Sequence, residues 1–175
     1  MLITNPMNPV NFNLATIEDI DEIWQLLQLG IEKRRRERSN QWQDGYPNLE
    51  TVKRDVNHQC GFVLKDNEVL LAYMALIKNN EPAYQNIEGQ WLSDGDFVVL
   101  HRLIVNPNYA GQGLAKKAML WAEDWAKQQQ IDSLKVDTNF DNEAMLHIFK
   151  TLGYTYCGKV YFRGSPRQAF EKRLS

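Results

Sequence analysis

The spacing of apolar and polar residues predicts a chain of short strands and amphipathic helices. Apolar and polar residues alternate over 10–15, which is typical of a half-buried strand. Thr16 and Asp19 are spaced as a capping pair for a helix that ends in the basic run 33–38. The predicted apolar face of this helix comprises Ile17, Ile20, Trp24, Leu27 and Ile31.

The rest of the pattern completes a sheet with helices on both faces. Asn48 is placed to cap a second helix, and Gly153 is typical of a helix end. Between 79 and 95 the chain is polar and predicts a long connection. Strands are predicted over 61–65, 69–77, 97–105, 133–138, 154–162 and 168–174, and helices over 49–58, 114–130 and 142–152. The order β-α-α-β-β-β-α-β-α-β-β predicts an α/β (α+β) fold with a mixed sheet.

A glycine loop between a strand and a helix carries the clearest chemical signal. The strand ends in Leu103, Ile104, Val105, Asn106 and Pro107, and the loop then reads Ala110, Gly111, Gln112, Gly113, Leu114, Ala115. Glycines at a helix N-terminus leave backbone N–H groups exposed, and the helix dipole favours an anion there, most often phosphate. The alternative is a turn that only reverses the chain.

Two common phosphate motifs do not fit these residues. A Walker loop requires Gly-Lys-Ser/Thr, which does not occur. A dinucleotide fingerprint requires a small residue where Lys116 stands and glycines directly after the strand, whereas residues 106–110 intervene here.

The loop instead resembles the coenzyme-A loop of the GNAT superfamily of N-acetyltransferases, Arg/Gln-x-x-Gly-x-Gly/Ala after a Leu-x-Val-x-Pro-like run, with Ala110 replacing the usual Arg or Gln. The resemblance implies a mostly antiparallel central sheet and acetyl-CoA as cosubstrate. It implies a primary amine of a small molecule or peptide as the acceptor. The implied cofactor contacts are Leu103, Ile104, Val105, Ala110, Gly111, Gln112, Gly113, Leu114, Ala115 and Lys116. A non-catalytic acyl-CoA-binding module on the same fold is the alternative.

A second GNAT-like motif begins at Asn142 and ends at Tyr154. The resemblance makes Asn142 a contact for pantetheine or nucleotide, and capping of the following helix is the structural alternative. Phe149 stands where the family often has a tyrosine that acts as general acid. Tyr154 and Tyr156 are loose candidates to replace it, or the thiolate leaves without enzymatic protonation.

His101 is the candidate general base, because an amine must lose a proton during attack and histidine titrates near neutral pH. Its segment resembles His-Ser-Leu-Ala-Val of arylalkylamine N-acetyltransferases, and a structural histidine inside the sheet is the alternative. Strand alternation predicts that Arg102 faces away from His101 and Leu103. Trp42 and Tyr46 are expected either to touch the acceptor or to anchor their loop. The basic run is expected to be either a solvated helix end or a surface for an anionic substrate.

Length, charge and cysteine content narrow the biological setting. The 175 residues predict one domain, 1–175, with residues 1–9 as a loose N-terminal arm. A net charge of −2 gives no footprint for nucleic acid, and no apolar run predicts a membrane span or a signal peptide. Two distant cysteines predict a reduced, cytoplasmic protein, and the spacing of Cys and His predicts no metal site. Homodimers are common in the resembled family, and the sequence leaves that question open.

Overall fold

The computed structural model describes residues 10–175, so the predicted arm at 1–9 lies outside the described residues. The helices are α1 (Ile20–Arg36), α2 (Leu49–Asn57), α3 (Leu114–Gln128) and α4 (Glu143–Thr151). The strands are β1 (Phe12–Leu14), β2 (Gly61–Asp66), β3 (Val69–Lys78), β4 (Glu88–Gly89), β5 (Val98–Val105), β6 (Ser133–Thr138), β7 (Thr155–Phe162) and β8 (Ser165–Arg173).

These strands form one sheet in the order β1-β2-β3-β5-β6-β8-β7-β4. Neighbouring strands are antiparallel throughout, apart from β5 and β6, which are parallel. The α3 crossover connects β5 to β6, since a parallel pair cannot be joined by a tight turn. The predicted mixed, mostly antiparallel fold is confirmed.

Helices cover both faces of the sheet and bury two main cores. On one face, Ala118 and Met119 of α3 and Phe149 of α4 pack against Leu64 and Val136 of the sheet. On the other face, α1 and α2 bury a second set, which comprises Ile23, Leu26, Leu27, Val52, Val56, Val63 and Tyr73. The large apolar side chains in these cores each stabilise the fold by roughly 1.5–3 kcal/mol through burial.

The predicted face of the first helix is partly wrong. Residues Ile17–Asp19 form a 3₁₀ turn, α1 begins at Ile20, and Ile17 is 75% exposed. The Asp19 carboxylate accepts a hydrogen bond from the Thr16 N–H at 2.8 Å, so the capping pair holds the 3₁₀ turn. Because α1 starts three residues later, its buried face is Ile23, Leu26, Leu27 and Gly30.

The polar connection contains one strand that the sequence analysis did not predict. Glu88 and Gly89 form β4 and pair with Lys159 and Gly158 of β7. A Cβ atom at Gly89 would lie 2.0 Å from the Cys157 carbonyl oxygen, so only glycine allows this close approach. A two-residue strand shows no alternation, which explains the missed element. Within residues 10–175, every helix is too short or too polar to cross a bilayer.

Candidate active site

A cavity opens in the middle of the sheet where β5 and β6 separate. The two strands pair at Val98–Leu134 and Val99–Lys135. Residues 100–105 of β5 and 136–138 of β6 then line one cavity of about 710 Å³. Backbone N–H and C=O groups at such a separation are available to a ligand, because a strand that leaves its neighbour needs other hydrogen-bond partners.

The glycine loop and the first turn of α3 form one end of this cavity, which we call the carrier half (residues 110–116). Gly111 and Gly113 have φ angles of 78° and 74°, and Gly113 is the N-cap residue of α3. Both angles lie in the left-handed region that favours glycine. The first turn of α3 contains no acidic residue to neutralise its exposed N–H groups. This end of the cavity is therefore suited to an anion.

The predicted cofactor residues lie together, with one exception. The cavity wall includes Leu103, Ile104, Val105, Ala110, Gly111, Gly113, Leu114, Ala115, Lys116 and Asn142. Gln112 is exposed and is absent from the lining, because this loop position faces outward between two left-handed glycines. The predicted contact of Gln112 with the cofactor therefore depends on its backbone N–H rather than on its side chain, and it stays a prediction.

A buried glycine in α1 allows the helix to approach the cavity wall. A Cβ atom at Gly30 would lie 2.6 Å from Ile104 Cδ1 and 2.9 Å from a ring carbon of Trp42. Gly30 was not among the predicted site residues, although a glycine in the middle of a helix costs about 1 kcal/mol relative to alanine and often has a packing reason. Here the reason is the close contact of α1 with β5.

The predicted strand alternation around Arg102 is partly wrong: Arg102 faces away from Leu103, as predicted, but not from His101. Between the pairings Ala75–His101 and Tyr73–Ile104, β3 has one residue and β5 has two, so β5 carries a bulge. Arg102 occupies it with a φ of 57°. Leu103 packs against the α3 face of the sheet, whereas His101 and Arg102 both contact groups on the other face. A bulge adds one residue and re-aims side chains, which simple alternation cannot anticipate.

Arg102 forms a buried ion pair behind the cavity wall. Its Nε and Nη2 donate to Asp55 Oδ2 and Oδ1 at 2.9 and 2.6 Å, and the two side chains are 3% and 1% exposed. The Tyr73 hydroxyl also donates to Asp55, and burial together with the Asp55 charge raises the pKa of Tyr73. Arg102 Nη1 donates to the Tyr46 hydroxyl, so this network fixes one side of the cavity.

His101 lines the cavity and is held by Glu81. Its Nε2 lies 2.6 Å from Glu81 Oε2, and both side chains are largely buried. Burial raises the pKa of Glu81, but the hydrogen bond and the charge of His101 outweigh burial and lower it. Glu81 is therefore ionised at neutral pH and accepts from Nε2–H. In the neutral form of His101 this bond leaves Nδ1 as the ring nitrogen with a free lone pair.

Two further charged side chains that the sequence analysis missed line the same region. Asp137 accepts a hydrogen bond from the Tyr84 hydroxyl at 2.6 Å, and burial raises the pKa of its carboxyl. Arg167 is 7% exposed and also lines the cavity. We call His101, Glu81, Asp137 and Arg167 the acceptor half. The sequence did contain a signal for Asp137: it stands two residues after Lys135, so charged residues occupy alternate positions of a central strand.

A family model described as Acetyltransferase (GNAT) family matches residues 20–154, a span that contains the glycine loop, α4 and most of the residues that line the cavity. The chain belongs to this family. It is accordingly an acetyl-CoA-dependent N-acetyltransferase, as its resemblance to the GNAT superfamily predicted.

Relatives and solved structures of this GNAT protein agree with that assignment. The uncharacterized N-acetyltransferase YesJ of Bacillus subtilis (strain 168) is 27% identical over 165 residues, 92% of this chain and 88% of that protein. A GNAT-family acetyltransferase from Streptococcus agalactiae 2603 is 31% identical with a TM-score of 0.86, over 97% of this chain and 98% of that one. The structure of yncA from Salmonella typhimurium with its cofactor acetyl-CoA shares the fold, at 15% identity and a TM-score of 0.68 over 96% and 95%.

The residues of the second GNAT-like motif take mainly structural contacts. Asn142 Oδ1 accepts from the Met145 N–H at 3.3 Å, and Asn142 Nδ2 donates to Gln41 Oε1 at 3.2 Å. Asn142 thus caps α4 and also lines the cavity. Tyr154 is buried with its hydroxyl donating to Glu123, and Tyr156 is 51% exposed. Neither tyrosine lines the cavity, so neither replaces the missing hydroxyl at Phe149.

The aromatic loop of this GNAT protein is anchored on the core and also lines the cavity, and its contact with the acceptor stays a prediction. Trp42 packs against the core formed by α1 and α2 and also lines the cavity. Tyr46 lines the cavity while its hydroxyl accepts a hydrogen bond from Arg102.

The residues of the basic run at 33–38 take two kinds of position. Lys33 and Arg34 reach the cavity, whereas the next two arginines form exposed ion pairs with Glu32.

Proposed function

We propose that this protein transfers the acetyl group of acetyl-CoA directly to a primary amine of a small molecule or peptide, with His101 as general base. The observation that carries the proposal is one continuous cavity. It runs from the exposed N–H groups at the start of α3, through the separation of β5 and β6, to His101. A carrier with a diphosphate at one end and a thioester at the other fits this arrangement.

The carrier half would hold the diphosphate through backbone amides at 111–115. The left-handed glycines expose these amides, and the α3 dipole adds a partial positive charge. Lys116 on the cavity wall adds a full charge. The substitution of Ala110 for the family's usual Arg or Gln removes one side-chain contact, while the backbone arrangement that binds phosphate remains.

The separation of β5 and β6 would hold the thioester. Residues 103–105 line the cavity. A peptide N–H on the side of β5 that faces away from β3 would donate to the thioester carbonyl oxygen. The same hydrogen bond becomes stronger as that oxygen gains negative charge during attack, which is how an oxyanion site lowers the barrier. The cavity wall beside it is apolar, with Leu100, Val136 and Phe149, and it limits access of water.

His101 would take a proton from the amine at Nδ1 while Glu81 stabilises the resulting imidazolium. The nitrogen then forms a bond to the carbonyl carbon, the carbon–sulfur bond breaks, and the thiolate of coenzyme A leaves. An ordinary thiol has a pKa of about 8.5, so its anion leaves readily near neutral pH without a tyrosine at position 149. The products are an acetylated amine and free coenzyme A.

The test is thiol release from acetyl-CoA with a panel of primary amines, for the wild type and for His101→Ala. We expect His101→Ala to lower kcat by roughly 10²–10⁴-fold. We also expect it to remove the limb of the pH–rate profile near neutrality. His147→Ala is the matched control, since His147 is an exposed histidine on α4. Retention of the full pH profile in His101→Ala contradicts the base assignment, and absence of turnover with every amine contradicts the proposed function.

A further inference from the structure

Most charges around the acceptor end of the cavity are paired within the protein. Arg102 is neutralised by Asp55 in the buried ion pair. Arg163 pairs with Asp44, although both side chains are about half exposed. These pairs have little electrostatic attraction left for a substrate, because each charge already has a counter-ion in contact.

Asp137 and Arg167 differ from these pairs. Within residues 10–175, neither has an oppositely charged group within 4.0 Å. Asp137 has a neutral partner, the Tyr84 hydroxyl. Arg167 Nη1 donates to two neutral oxygens, the Ser165 hydroxyl at 2.7 Å and the Pro166 carbonyl at 3.1 Å. A largely buried charge without a counter-ion is unfavourable. A ligand that supplies the opposite charge would relieve this cost.

The two side chains lie on the same face of the sheet. Asp137 pairs in register with Ala169 of β8, and Arg167 precedes Ala169 by two residues, so all three point to one side. Positions related in this diagonal way are about 7–8 Å apart in an antiparallel sheet. Both side chains line the cavity together with His101. A small molecule can therefore reach both charges at once.

The opposite signs of these charges define the ligand. Asp137 attracts an ammonium group, and the guanidinium of Arg167 keeps Nε and Nη2 as donors for a planar or tetrahedral acid. We infer that the acceptor is a small zwitterion, an amine with an acidic group a few bonds away, whose ammonium binds at Asp137 and whose acid binds at Arg167. This inference rests on the proposed function, because it specifies the acceptor for the same reaction.

The reaction chemistry agrees with this placement. The ammonium arrives beside His101 and loses one proton to Nδ1. The second proton passes to the departing thiolate of coenzyme A as the carbon–sulfur bond breaks, so the acetylated nitrogen is then neutral. The attraction to Asp137 disappears at that point, while the acid still binds Arg167. Loss of one of two charge contacts on acetylation favours release of the product over the substrate.

The experiment compares matched amines as acceptors for the wild-type enzyme. The series contains an amino acid, its decarboxylated amine, its carboxamide, its aminophosphonate analogue and a dipeptide in which the carboxylate is moved away. We expect kcat/KM to fall on the order of 100-fold or more from the amino acid to the decarboxylated amine. A preferred aminophosphonate also supports the inference and identifies a tetrahedral acid as the better fit.

Variants then assign the preference to a residue. Arg167→Gln should lower kcat/KM for the zwitterion far more than for the decarboxylated amine, so the ratio of the two values falls toward one. Arg173→Gln is the matched control, since Arg173 lies on the same face of β8 but is exposed and pairs with Asp132. Should Arg167→Gln not fold, the wild-type series alone decides the inference.

The failures of the two proposals are distinguishable. Equal or better turnover of the decarboxylated amine by the wild type overturns the zwitterion inference and leaves acetyl transfer to amines intact. Turnover of none of the amines, together with binding of acetyl-CoA, overturns both.

Discussion

The two halves of the cavity are built in different ways. The carrier half uses backbone groups from one contiguous loop and the start of one helix. Two glycines with φ angles in the left-handed region set the conformation of this loop. The acceptor half uses side chains from four separate segments, which meet only after the sheet has formed. Recognition of a constant group such as a diphosphate therefore needs little sequence, whereas recognition of a variable acceptor depends on scattered residues. Substitutions in the acceptor half should therefore change stability and catalysis in measurable ways.

The largest expected effect comes from the buried ion pair that supports the acceptor half. Asp55→Asn leaves Arg102 with its charge uncompensated, and we expect a loss of about 3–5 kcal/mol in the free energy of unfolding. Urea denaturation measures this loss. Asp44→Asn is the control, because it breaks an ion pair that is about half exposed and should cost no more than about 1 kcal/mol. Equal losses in the two variants would show that the buried network does not support this half.

A smaller effect, on catalysis, is expected at Glu81, which acts as a positioning residue through His101. Glu81→Gln keeps a hydrogen-bond acceptor but removes the carboxylate charge that stabilises the imidazolium. We expect kcat to fall by roughly 10–100-fold, the range typical of an outer partner that orients a histidine. The measurement compares kcat of Glu81→Gln, His101→Ala and the double variant. Because Glu81 acts only through His101, the double variant should be no slower than His101→Ala alone. A further fall in kcat in the double variant contradicts this role.

The smallest expected effect is a gain in stability at Asp137. Burial raises the pKa of this carboxyl, so the folded protein favours its protonated form. Stability from this group is full below the unfolded pKa and is lost as the pH rises through the higher folded pKa. Asp137→Asn should therefore raise Tm at pH 7, and the gain should shrink as the pH falls toward the ordinary aspartate range. Each 1 kcal/mol corresponds to roughly 2–4 °C for a chain of this size.

The same variant separates stability from function. The Asp137→Asn variant should bind amines more weakly and acetylate them more slowly, although it melts at a higher temperature. The buried Asp137 carboxylate lowers stability, and it is retained because it binds the ligand. A variant with a lower Tm at pH 7 and unchanged turnover would show that the Asp137 carboxylate is a structural group.

The difference between the two halves also explains which parts of the site could be predicted from the sequence. Gly111 and Gly113 could be recognised because their function depends on local conformation, and the strand and helix around them carry clear periodicity. The face of Arg102 could not be predicted, because a bulge in β5 arises from the register with β3. Glu81 follows no periodic pattern, and its contact with His101 depends on the path of the connection between β3 and β5. Asp137 and Arg167 are more than two dozen residues apart and meet only through strand pairing.

The most direct test of the central claim is calorimetry with two carriers, acetyl-CoA and acetylpantetheine, which lacks the diphosphate. If amides at 111–115 bind the diphosphate, the wild type should bind acetyl-CoA at least about tenfold more tightly, the equivalent of about 1.4 kcal/mol. Gly113→Ala, strained at a φ of 74°, should lose most of that advantage without weaker binding of acetylpantetheine. Gly153→Ala, with similar strain at φ 83° but outside the cavity, should behave as the wild type. Equal affinity of the wild type for the two carriers would contradict the account.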